Sequence, residues 1–173
     1  MLHRAAVSLH ARITASGAEP PSISIIVYSL EIIVNTFSIL GLVILIGFIT
    51  GEPSRSVALF GFFALIRFIS GGYHLPTNAA CIAVSTIVLS TLPHIHPPST
   101  LMYTLNGVSF LMMLLFAPSN YDRYARISKK HYPLMKVAAC ALVGSNFMIG
   151  SDLLALAFTT QSLLLPIRGG ENR

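Results

Sequence analysis

The chain has 173 residues, of which 54% are apolar and only 10% charged, where a soluble domain carries about 25% charged residues. Its mean hydropathy is +0.73. One soluble core cannot absorb that much apolar sequence without exposing large patches. Soluble, disordered and disulfide-stapled secreted classes are therefore excluded, and an all-α, polytopic membrane bundle is expected. The net charge of +5 comes with no basic stripe interleaved with aromatics and no nucleic-acid motif. In a membrane chain such an excess records topology.

The expected organisation is a single membrane domain over 1–173, with an N-terminal segment 1–21, membrane helices in 22–166 and a tail 167–173. The first 21 residues are polar and start no apolar run. A cleavable leader is not expected, because the first hydrophobic stretch is too long and has no small-residue cleavage site. A spanning helix needs about 20 apolar residues. Ile23–Ile49 supplies the first and ends at Gly51-Glu52-Pro53, whose proline suits the first turn of a second helix reaching Ser70. Gly71-Gly72 and Pro76 break that helix. Ala79–Leu92 is a third, short stretch, stopped by Pro93-His94-Ile95-His96-Pro97-Pro98.

Ser99–Ala117 makes the fourth helix, ended by Pro118, and a polar loop follows with Arg123, Arg126, Lys129 and Lys130. Pro133 opens the fifth helix, to Ile149, and Ser151 or Asp152 caps a sixth, to about Leu165. With the N-terminus inside, every Lys and Arg except Arg55 falls on the cytoplasmic side. That bias predicts an even number of crossings, both termini inside and the Gly71–Asn78 loop facing the cytoplasm. Six spans are expected. The alternative is four, with the two short segments lying in the interface.

Polar residues at membrane depth are costly and mark candidate sites. Their densest run is Arg67-Phe-Ile-Ser-Gly-Gly-Tyr-His-Leu-Pro-Thr-Asn-Ala-Ala-Cys81. A cysteine nucleophile needs a histidine, a cation or a helix N-terminus to favour its thiolate. Here Asn78 or Thr77 would cap the third helix and put Cys81 in its first turn, with His74 as candidate base and Arg67 as a fixed cation. Seven residues of continuous helix would separate His74 from Cys81 by about 10 Å. Gly71-Gly72 must therefore let the loop fold back over the helix start.

Plainer readings stand beside these. Cys140, between Ala139 and Ala141, reads as a small buried hydrophobe, and Cys81 admits that reading too. His94 and His96 lack a third ligand, so no metal is expected. Glu31 and Asn35, i and i+4 on the first span, either pair with another helix or line a substrate cleft.

The run Arg67-x3-Gly71-Gly72-Tyr73-His74-x6-Cys81 resembles the accessory gene regulator B family of peptide quorum-sensing systems. Weaker echoes are Leu30–Asn35, Phe116-Ala117-Pro118 and Gln161–Pro166. The resemblance implies a bacterial cell-membrane cysteine endopeptidase without a cofactor. Cys81 would be its nucleophile and His74 its base, with Arg67, Gly71 and Gly72 shaping the site and Glu31 and Asn35 beside the substrate. The implied partners are a short pro-peptide, membrane lipids and a possible second copy of the chain, with no nucleic acid. Cleavage through a thioester and cyclisation to a thiolactone or lactone would follow. The competing reading is a small transporter or channel subunit with a polar pathway through Arg67, Glu31 and Asn35.

Overall fold

The computed structural model describes residues 2–73, 75, 77–120 and 128–167. Among the described residues, seven α-helices carry the fold: α1 (Leu2–Ala15), α2 (Ile23–Thr50), α3 (Pro53–Ser70), α4 (Asn78–Thr91), α5 (Ser99–Phe116), α6 (Tyr132–Ile149) and α7 (Asp152–Ser162). Among the described residues there is no named strand, only an isolated parallel bridge between Gly71 and Ser119. Among the described residues, four helices are long and apolar enough to cross a membrane: α2, α3, α5 and α6 with the short 3-10 turn before it. They present large apolar side chains outward, with Phe68 78% and Met148 93% exposed. In water such a surface would aggregate; in a bilayer it is the lipid-facing wall. The chain is a membrane protein.

The helix ends follow from the breakers. Gly51 takes φ 82° and donates its N–H to Gly47 O, closing α2, while Pro53 sits in the first turn of α3. The α2–α3 hairpin is tight because Gly47 has no side chain: a Cβ there would meet Ser56 Oγ at 2.9 Å and Pro53 Cα at 3.1 Å. Of the two candidate caps for α4, Thr77 is the one used; its side chain accepts from Ala80 N at 3.2 Å, and Asn78 is already helical. Ser151 caps α7 by accepting from Leu154 N.

Two segments add to the sequence reading. The N-terminal segment is helical over Leu2–Ala15 and packs on α2, burying Ala6. Its Leu2, Ala6, Leu9 and Ile13 recur at helical spacing, a short amphipathic stripe. The sixth helix ends at Ser162, short of Leu165. At 11 residues it is only about 16 Å long, yet Leu154, Ala155, Leu156, Ala157 and Phe158 are all buried in succession. A helix apolar on every face belongs at the centre of a bundle.

Helix α7 serves two cores. With α3, α5 and α6 it buries Leu154 and Phe158 against Ile66, Met113, Ala139 and Val143. With α2, α3 and α4 it buries Leu156 and Ala157 against Ile39, Val43, Leu59 and Leu89. Two buried asparagines inside the bundle are paired: Asn106 donates to Val143 O, and Asn146 donates to Asn106 Oδ1 and Ser151 O.

Each end of the bundle is tied by hydrogen bonds. At one end Arg55 donates to Asp152 Oδ2 at 2.7 Å and to Pro93 O at 2.9 Å, and His96 Nδ1 lies 3.3 Å from Asp152 Oδ2. This places the start of α3, the end of α4 and the start of α7 together. Asp152→Ala is expected to cost about 1 kcal/mol, discounted because both partners are partly exposed. A lowered melting temperature in detergent checks it.

At the opposite end, Ser119 N donates to Ser70 O, Gly72 N to Ser119 O, and Tyr73 N to Leu164 O. The Ser70–Tyr73 segment, the chain after α5 and the chain after α7 thus meet there. Asn120 Nδ2 also donates to Ile167 O, so the last described residue sits at this same end.

Candidate active site

Cys81 occupies the first turn of α4, where its backbone N–H makes an early helical bond to Thr77 O at 3.0 Å. The N-terminal turn of a helix favours negative charge. The side chain is buried and accepts a hydrogen bond from Asn35 Nδ2 on α2 at 3.3 Å. Cys81 and Asn35 both line a cavity of about 440 Å³. Its walls are chiefly apolar, with Tyr28, Ile32, Phe60, Phe63 and Leu89 among them. Arg67, Gly71, Gly72, Ser119 and Asn120 bring polar groups to it.

Arg67 is held from two sides. Nη2 donates to Tyr73 O at 2.7 Å, Nη1 donates to Gln161 Oε1 at 3.2 Å, and the guanidinium carbon lies 5.7 Å from the Phe63 ring centroid. A guanidinium fork suits that divided demand better than an ammonium. The expectation of a fixed cation near Cys81 is therefore refined: Arg67 shares the cavity but is engaged with the loop backbone and α7.

Gln161 is the residue sequence reasoning passed over. It is fully buried, its Oε1 accepts from Arg67, and its Nε2 donates to Ser70 Oγ and Gly71 O. One side chain thus joins α7 to the whole Arg67–Gly71 corner. Its place in the motif-like run Gln161–Pro166 was the available signal; a partner 94 residues away was not readable from spacing.

Gly71 and Gly72 both take positive φ, 70° and 122°. At Gly72 a Cβ would also meet Gln161 Nε2 at 3.0 Å. Gly72→Ala is expected to destabilise by about 1–3 kcal/mol. Gly61→Ala, where nothing lies within 4 Å, should be neutral or stabilising. Melting temperatures of the two variants check this contrast.

The expected site residues are thus gathered in part. Arg67, Gly71, Gly72, Asn35 and Cys81 share one cavity. Glu31, one turn before Asn35, is absent from its lining. His74 lies outside the described residues, as do Arg123 and Arg126 of the basic loop. Lys129 and Lys130 are exposed just before α6.

The sequence model of accessory gene regulator B matches residues 9–165 of the chain. The chain belongs to the accessory gene regulator B family. That family processes peptides for quorum sensing, so a pro-peptide substrate is implied. The match takes in all six membrane-region helices, the motif loop and the Gln161 run, and stops at Leu165. Neither the curated proteins nor the solved structures contain a match.

Proposed function

We propose that the protein is a membrane cysteine endopeptidase that cleaves a short pro-peptide and promotes its cyclisation, acting as a single domain. The observation that carries this reading is Cys81 itself: a thiol at a helix start, bonded to an amide and opening onto an apolar cavity inside a membrane bundle. His74 is the general base. It takes the thiol proton, and Cys81 thiolate attacks the carbonyl at the pro-peptide's scissile bond. The C–N bond breaks, the C-terminal fragment leaves with that proton on its amine, and the N-terminal part stays as a thioester on Cys81. A Cys or Ser side chain of the bound fragment then attacks the thioester, frees Cys81 and closes a thiolactone or lactone.

Water competes for the thioester, and hydrolysis would give a linear product. The apolar walls from Ile32, Phe60, Phe63 and Leu89 support the reading because they keep the site dry while the ring closes. No cofactor enters any of these steps.

The catalytic end of the bundle is assigned to the cytoplasm, together with both termini, because that end carries the excess of Lys and Arg. The exposed Lys129 and Lys130 would there meet acidic residues of a pro-peptide or anionic lipid. A polar transport pathway through Arg67, Glu31 and Asn35 gains little support, since Arg67 is engaged by Tyr73 and Gln161 and Glu31 is off the cavity.

The test is co-expression with a candidate short pro-peptide from a neighbouring reading frame, followed by mass spectrometry. The expected products are a released C-terminal fragment and an N-terminal product one water lighter than the linear acid. Linear acid as the sole N-terminal product would remove the cyclisation step, and an uncut peptide would remove the activity.

A further inference from the structure

Asn35 is a polar residue in the middle of the apolar helix α2, where nothing in the helix's own geometry calls for it. Its Nδ2 donates to Cys81 Sγ at 3.3 Å. Its Oδ1 is buried and has no hydrogen-bond partner among the described residues. Leaving such an acceptor unpaired costs about 1–3 kcal/mol, a cost that a bound peptide N–H would remove. Both halves of the amide therefore face chemistry that the resting protein does not complete.

We infer that Asn35 is a catalytic residue: its side-chain N–H stabilises the oxyanion formed when Cys81 attacks a carbonyl. This inference rests on the reading of Cys81 as nucleophile. As the S–C bond forms, the carbonyl π pair moves onto oxygen; when that pair returns, the bond to the leaving group breaks and a thioester remains. The oxyanion sits on the carbon newly joined to sulfur, so a donor already against that sulfur needs little movement to reach it. Oxyanion donors act at about 2.7–3.1 Å. The apolar cavity walls keep water from competing for the charge, which raises the value of a fixed donor. Asn35 Oδ1 then accepts from a backbone N–H of the same peptide and fixes which carbonyl meets the thiol.

The experiment uses the full chain in detergent with Cys140→Ala, so that Cys81 is its sole thiol, and two probes that need no natural substrate. p-Nitrophenyl acetate acylates the thiol through an oxyanion and releases p-nitrophenolate; iodoacetamide alkylates the same thiol by displacement of iodide, with no oxyanion. Asn35→Leu keeps the branching of the side chain and removes the donor. Its acylation rate should fall about 100-fold, while alkylation falls by at least tenfold less. Asn35→Ala, which cannot clash, carries the same expectation if the leucine variant fails to fold. Equal slowing of both reactions, or no slowing of acylation, would overturn the oxyanion role. Undiminished ester acylation in Cys81→Ala would instead overturn the nucleophile assignment, so the two failures are separable.

Discussion

Cys81→Ala and His74→Ala should each reduce pro-peptide cleavage by a factor of about 10⁴ or more, the scale expected when a nucleophile or its base is deleted. Cys140→Ala should cleave at the wild-type rate. The contrast follows from position. Cys81 lines the cavity and touches Asn35, whereas Cys140 packs against the α3–α5–α6–α7 core and does not line that cavity. Cleavage followed by mass spectrometry in membranes, at matched protein levels, reads all three variants. Cleavage retained by the Cys81 variant would show that another group attacks the peptide.

The second large effect is expected at the Arg67–Gln161 corner. Gln161→Leu puts an apolar side chain there and removes the acceptor for Arg67 and the donor to Ser70 and Gly71. A hydrogen bond to a charged group contributes about 1.5–3 kcal/mol, and Arg67, half-buried beside Phe63, keeps Tyr73 O but loses the Gln161 acceptor. The expected result is a melting temperature lowered by several degrees and processing lost by about tenfold or more. Arg67→Lys should share the processing defect, because one ammonium cannot reproduce the fork between Tyr73 O and Gln161 Oε1. Arg67→Lys with wild-type processing would mean that charge alone suffices there.

Helix ends were legible because the breakers act locally. Gly51, Pro53, Gly71, Pro133 and Gly150 each stand where a helix stops or starts, and their effect needs no knowledge of the neighbours. The N-terminal helix was missed for a related reason. Its stripe of Leu2, Ala6, Leu9 and Ile13 is diluted by Arg4, Arg12 and two histidines, so it lacks the long apolar run used to find spans. The buried role of α7 was also hidden: its short apolar composition suits a span, an interface segment or a core helix alike.

The site was legible as a motif but not as a geometry. Arg67, Gly71, Gly72 and Cys81 lie within one stretch of chain, so their types and order could be read together. Their partners could not. Asn35 reaches Cys81 across 46 residues and Gln161 reaches Arg67 across 94, contacts that exist only once α2, α4 and α7 have packed. Glu31 shows the converse. Spacing put it on one face with Asn35, yet a helix turns 400° in four residues, and the cavity takes up Asn35 without it.

The central claim is that Cys81 forms a thioester with the pro-peptide. Intact-mass measurement of the protein, quenched in acid during turnover, tests it most directly. The account predicts an adduct with the mass of the N-terminal peptide fragment less one water, mapped to Cys81, released by neutral hydroxylamine and absent from Cys81→Ala. Turnover that proceeds with no adduct in the wild type, or an adduct that persists in Cys81→Ala, would contradict it.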